Sequence, residues 1–215
     1  YEKFLQMQQK GGRRKTPVQL AVHQVRAFAR QAKHKGRSVS IIYLDLTEAF
    51  YRIIREVPIG GDPSDELIAH IVNKLRLPQD ALHQLDELLA EQPAIEQAGM
   101  GEMDCRCVRA IHASTHFWLR HQADFVRTRA GTRPGDCFAD FIFGFAWSCV
   151  LQKLEAYMVE NQVIARFEDH DEPPLFKLSS GTGTWNNFLG PTWMDDLAVC
   201  LQTDSSWALT SITVK

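Results

Sequence analysis

Two adjacent carboxylates, Asp195 and Asp196, stand in Trp193-Met194-Asp195-Asp196, between the apolar runs Phe188–Trp193 and Leu197–Leu201. Neighbouring charges buried among strand-forming residues cost on the order of several kcal/mol unless a partner neutralises them. A hard divalent cation such as Mg²⁺ or Mn²⁺ suits carboxylate oxygens as that partner. A third acid, Asp45, closes the β-branched and aromatic run Val39-Ser40-Ile41-Ile42-Tyr43-Leu44. Three acids at two strand ends match the demand of metal-dependent phosphoryl transfer, which uses two ions roughly 3.5–4 Å apart. Side chains alternate along extended backbone, so the paired acids are not equivalent. Asp195, at the tip of a hairpin, is expected to share metal ligation with Asp45, and Asp196 to support them. An Asp-Asp pair alone carries little information, because most such pairs lie in turns or on surfaces.

Two other segments have a chemical reading. Phe50 follows Asp45 by five residues. A ring there would lie beneath an incoming sugar and exclude a 2′-hydroxyl, whereas an isolated Phe is ordinarily a core residue. In Gly131-Thr132-Arg133-Pro134-Gly135-Asp136, Arg133 would reach a base pair or phosphate and Gly135 would allow close backbone approach. The helix start that follows favours anions. Cys105, Cys107, His112 and His116 lack the Cys-x₂₋₄-Cys spacing and the longer gap to the histidines of a zinc module, and read as buried thiols and surface histidines. Gly181–Thr184 lacks the Lys of a phosphate loop.

The elements that must position these residues follow from periodicity. Residues 17–35 fit a helix with Val18, Val22, Val25, Phe28 and Ala29 on one side and bases on the other. Residues 39–46 read as a buried strand and 58–63 as a loop; Ser64 caps a helix that Pro78 ends, and a second helix carries Leu82, Leu85, Leu88 and Leu89. Residues 93–103 read as irregular, and 116–130 as a hairpin around His121–Asp124. A long apolar helix spans about 137–160, a surface insertion 168–187, and two strands 188–202, turning at Met194-Asp195. The order strand, helices, hairpin, helix, hairpin points to an α+β fold, an antiparallel sheet with helices packed on one face.

The bulk properties bound the class. A chain of 215 residues with 45% hydrophobic content can bury a real core. Tyr1 at the start and Lys215 at the end of an incomplete segment read as a fragment of a longer protein. No apolar run reaches the roughly 18 residues of a membrane span, and nothing at the start resembles a signal peptide. Five scattered cysteines fit a reducing compartment. The net charge is −2, but residues 1–40 hold ten Lys/Arg and one acid, +9 against −11 for the remainder. A basic segment on an acidic body can grip a phosphate backbone while its acids bind metal.

Jointly, and in this order, the segments resemble the reverse transcriptases, most closely those of non-LTR (LINE-like) retrotransposons. Leu44-Asp45-Leu46-Thr47-Glu48-Ala49-Phe50 looks like the family's first catalytic motif, Gly131–Asp140 like its second, and Trp193-Met194-Asp195-Asp196-Leu197 like its third, Tyr/Phe-x-Asp-Asp. Gln9-Lys10-Gly11-Gly12-Arg13 is similar to a stretch upstream of the first. Pro134 stands where the family usually has Gln, and Trp193 where it has Tyr or Phe. The resemblance implies one reverse transcriptase domain over 1–215. In it, 1–38 would be a basic fingers-side segment and 39–215 a right-hand palm with insertions near 92–104 and 168–187; the thumb would lie beyond it. It implies RNA-directed DNA polymerase activity: two Mg²⁺ or Mn²⁺ ions, an RNA template, a DNA primer and deoxynucleoside triphosphates, without a membrane, in an intracellular ribonucleoprotein of nucleus or cytoplasm. Asp45 and Asp195 would carry metal, Asp196 would support them, and Leu46, Phe50, Arg133 and Gly135 would contact substrate. Two other readings share these residues: a decayed element that folds or binds nucleic acid without catalysis, and an RNA-dependent RNA polymerase palm, which Phe50 disfavours.

Overall fold

The computed structural model describes residues 5–11, 13, 15–75, 77–113, 115–121, 123–128, 130–133, 136, 138–169 and 184–213. In chain order the elements are α1 (Val18–His34), β1 (Ser38–Leu44), α2 (Ala49–Arg52), α3 (Glu56–Ile59), α4 (Asp65–His70) running into a π-helical turn (Ile71–Leu75), α5 (Gln79–Ala90), α6 (Ala94–Gln97), α7 (Glu102–Ala113), β2 (His116–Trp118), β3 (Phe125–Arg127), α8 (Ala139–Glu160), β4 (Ala165–Asp169), β5 (Thr184–Phe188), β6 (Thr192–Trp193), β7 (Asp196–Thr203) and α9 (Ser206–Thr213). The chain is mixed α and β with small antiparallel sheets, compatible with the expected α+β class. It divides into two compact units, one of residues Gln6–Leu46 and Leu151–Lys215, the other of Tyr1–Leu5 and Thr47–Val150. Helix α8 begins in the second and ends in the first.

The first unit is built on a three-stranded sheet in the order β1-β7-β6. β1 and β7 run antiparallel from Ser38 opposite Thr203 to Leu44 opposite Leu197. As the central strand, β7 is covered along Leu197–Leu201, which is why those five positions read as a continuous apolar run rather than an alternation. Phe28 of α1 packs with Ala165 and Cys200 at the centre, against Val39, Ile41 and Phe188. The Phe28 and Phe188 ring centroids are 5.8 Å apart. Burial of Cys200 pushes its thiol pKa up to about 12. α1 matches its expected span, yet Val18 and Val22 remain 42% and 46% exposed, so only part of its apolar stripe is covered. β4 and β5 pair antiparallel from Ala165 opposite Phe188 to Asp169 opposite Thr184. The segment read as an insertion over 168–187 therefore has strand-forming ends, because Phe188 must reach Phe28 from a fixed register; its residues 170–183 lie outside the described ones.

The second unit is mainly helical. Its core joins Ile59, Ala94, Ile95, Cys105, Val108, Ile142 and Phe145, drawn from α3, α6, α7 and α8. Ser64 caps α4 as expected, its Oγ accepting from the Leu67 N–H at 3.2 Å. Three expectations are corrected here. Residues 93–103, read as irregular, include α6 and the start of α7, because Ala94, Ile95, Cys105 and Val108 recur at helical spacing and are buried. Part of the 58–63 loop is the last turn of α3, with Pro58 and Ile59 buried. His112, expected on the surface, is buried: its Nδ1 lies 2.9 Å from the Val108 carbonyl and its ring meets Phe138 edge-on. The hairpin expected over 116–130 is β2 and β3.

Candidate functional site

In the first unit the strand register converges the three acids. Leu44 lies opposite Leu197 and Leu197 opposite Thr192. Asp45 follows Leu44, and Asp196, opposite Trp193, precedes Leu197. Met194 turns with φ 53°, which sets Asp195 between the two strand ends. Asp45 and Asp196 are exposed and Asp195 is half-buried. The burial expected for the pair is thus corrected: Leu189–Thr192 and Leu197–Leu201 are buried, but the acids occupy the turn between those runs, where water still reaches them. Among the described residues no basic side chain pairs with Asp45, Asp195 or Asp196.

A cavity of about 520 Å³ opens beside this turn. Val18, Val22 and Val25 of α1, Tyr43 and Leu44 of β1, and Pro191 and Leu197 form its apolar wall, while Asp45, Asp196, Arg26 and Trp193 are its polar and aromatic members. Asp195 is not part of the lining. Tyr43 is 73% exposed and Leu44 45%. Leu46, just past the strand, is also exposed.

The N-terminal segment braces the acidic turn. Thr192 N–H donates to the Gln8 carbonyl at 2.9 Å, and Lys10 N–H donates to the Thr192 carbonyl at 2.9 Å. Gln9 makes an isolated parallel bridge to Thr192 beside β6, and Gln8 Nε2 donates to Glu155 Oε2 at 3.0 Å. A Cβ on Gly11 would lie 2.3 Å from the Met194 backbone nitrogen, so only glycine permits this approach. Sequence reasoning attached no positioning role to residues 8–11; the signal available was the glycine pair Gly11-Gly12 after two glutamines.

In the second unit the other two chemical segments are joined. Thr132 N–H donates to the Phe50 carbonyl at 2.6 Å and Gly131 N–H to the Ile53 carbonyl at 2.7 Å. Gly131 has φ 78°, and a Cβ there would meet the Tyr51 carbonyl oxygen at 2.4 Å. Phe50 is half-buried and stacks on Phe143, with centroids 4.7 Å apart and planes at 28°. Arg133 is exposed. Gly135, like Pro134, lies outside the described residues. Asp45, Leu46, Asp195 and Asp196 thus belong to one unit, Phe50 and Arg133 to the other. Compared with known proteins, the chain matches no family model and no curated protein.

Proposed function

We propose that the chain carries the nucleotidyl-transfer site of an RNA-directed DNA polymerase, of the kind its motifs resemble. The observation that supports this reading is the β1-β7-β6 register, which brings an acid from residue 45 and a pair from residues 195–196 to one end of one sheet. Such a convergence of distant acids fits two-metal chemistry, for which the donor set is suited: all its groups are carboxylates, without basic partners among the described residues. Among the described residues no three His, Cys, Asp or Glu groups stand within range of one ion.

Asp45 and Asp195 would hold the ions and Asp196 would support them. When bound, the ions would favour ionisation of a primer 3′-hydroxyl and neutralise charge on the triphosphate. The chain's own residues do the rest. The turn fixed by Gln8–Gly11 orients the paired acids. By the resemblance, Phe50, which stacks on Phe143, would be the sugar gate, and Leu46, Arg133 and Gly135 would contact substrate. No helix among the described residues is long and apolar enough to cross a membrane.

Primer extension tests the reading: a DNA primer on an RNA template, deoxynucleoside triphosphates, and Mg²⁺ or Mn²⁺. Metal-dependent product that Asp195→Ala abolishes is the expected result. Product that survives Asp195→Ala would overturn it, and nucleic-acid binding without extension would favour the decayed-element reading.

A further inference from the structure

Hairpin β2–β3 presents two dissimilar faces. Its register sets His116 opposite Arg127, Phe117 opposite Val126, and Trp118 opposite Phe125. Cross-strand partners share a face and successive pairs alternate. One face therefore carries Trp118, Phe125, His116 and Arg127; the other carries Phe117 and Val126. Trp118 is 60% exposed and Phe125 68%, an unusual outlay of ring surface on a hairpin.

We propose that the Trp118–Phe125 face binds single-stranded nucleic acid by stacking bases on its rings, with Arg120 and Arg127 meeting the phosphates. Three observations carry this. The first is composition: exposed rings and cations share the hairpin, with Arg120, Arg127, His116 and His121 against the single acid Asp124. Rings and arginines are also enriched where proteins dock; the excess of cationic groups over the single acid is what favours a strand of nucleic acid, held by rings that stack and cations that pair with phosphate. The second is support. Buried Arg55 donates to the carbonyls of His112 and Thr128, each at 2.9 Å, and to Thr115 Oγ1 at 2.7 Å. Thr128 N–H donates to the Thr115 carbonyl at 2.8 Å. The base of the hairpin is thus locked to the end of α7 and the rings are held ready, which lowers the ordering cost of binding. The third is the ring geometry. His116 meets Phe125 edge-on, centroids 5.2 Å apart and planes at 75°, so Phe125 is steadied from its side.

This surface is built from other residues than Asp45, Asp195 and Asp196, and its binding needs no metal. It stands or falls independently of the polymerase reading.

The test is fluorescence anisotropy of the full chain with labelled oligouridine and oligothymidine, each about 12 nucleotides long, in EDTA. Trp118→Ala and Phe125→Ala are each expected to weaken binding by between about fivefold and a hundredfold. Trp118→Phe should recover most of the affinity. Phe117→Ala, on the opposite face, should bind as the parent chain does. Circular dichroism melts establish that each variant is folded. Unchanged affinity in both ring variants overturns the proposal, and so does an equal loss in Phe117→Ala. An equal loss for a blunt duplex would show phosphate contact without stacking and also overturn it. So would self-association, seen by sedimentation, that Trp118→Ala abolishes while single strands fail to bind.

Discussion

Asp45 and Asp196 sit in water at the rim of the first unit's sheet and Asp195 half in it, so their substitution has little packing to disturb. Asp45→Asn and Asp195→Asn are each expected to keep their urea midpoints, with stability changes within about 0.5 kcal/mol. Primer extension should fall at least about a hundredfold, about 3 kcal/mol of barrier. A parallel loss of stability would assign these acids a structural role instead. Phe50 is different, because its ring rests on Phe143. Phe50→Ala should raise ribonucleotide incorporation and also cost stability, by less than the about 3–5 kcal/mol of a fully buried Phe. Unchanged sugar selectivity would remove the gate and leave the packing. Cys200 supplies a pH signature. Its folded pKa, about 12, lies above the ordinary thiol value of 9.0, so the folded state holds the proton more tightly than the unfolded chain. The stability this contributes is complete below pH 9 and is lost as pH rises from there toward 12. Urea midpoints at pH 8 and above pH 10 should diverge in the parent chain and converge in Cys200→Ala.

At the scale of elements, the acidic turn depends on a segment that carries no acid. Residues 8–11 pair with Thr192, and Gly11 presses against the Met194 nitrogen. Gly11→Ala must push that turn away, and overpacking of this kind costs about 1–3 kcal/mol. Gly36, with φ 66° and no atom within 4 Å of the place a methyl group would take, is the control: Gly36→Ala should carry only the left-handed strain of about 1–2 kcal/mol. Gly11→Ala should also reduce extension and metal affinity, which Gly36→Ala should not. If the two variants behave alike in extension, the segment does not position the acids.

At the scale of the whole molecule, the first unit is assembled from two stretches of chain separated by about a hundred residues of the other. Among the described residues β1 pairs only with β7, through seven register pairs. A chain ended after Val150 would leave both edges of β1 open, with Ile41, Ile42, Tyr43 and Leu44 unpaired, and open apolar edges aggregate. Light scattering should report association of that truncated chain and not of the full one; a monodisperse truncated chain would show that β1 does not need β7. Much of this was legible locally. Strong periodicity announced α1, β1, α5, α8, the β2–β3 hairpin and the turn at Met194, because apolar spacing, caps and turn residues act within a few positions of one another. Helices α6 and α7 escaped notice because charged residues interrupt their buried positions, and the chemical types at 45, 50, 133, 195 and 196 said what chemistry was conceivable without saying which were neighbours. Register decided that. Whether Asp45 meets Asp196, whether Gln8–Gly11 brace the turn, and which hairpin face holds the rings depend on pairings between residues up to nearly two hundred positions apart, and such pairings are set by which surfaces bury together rather than by any local signal.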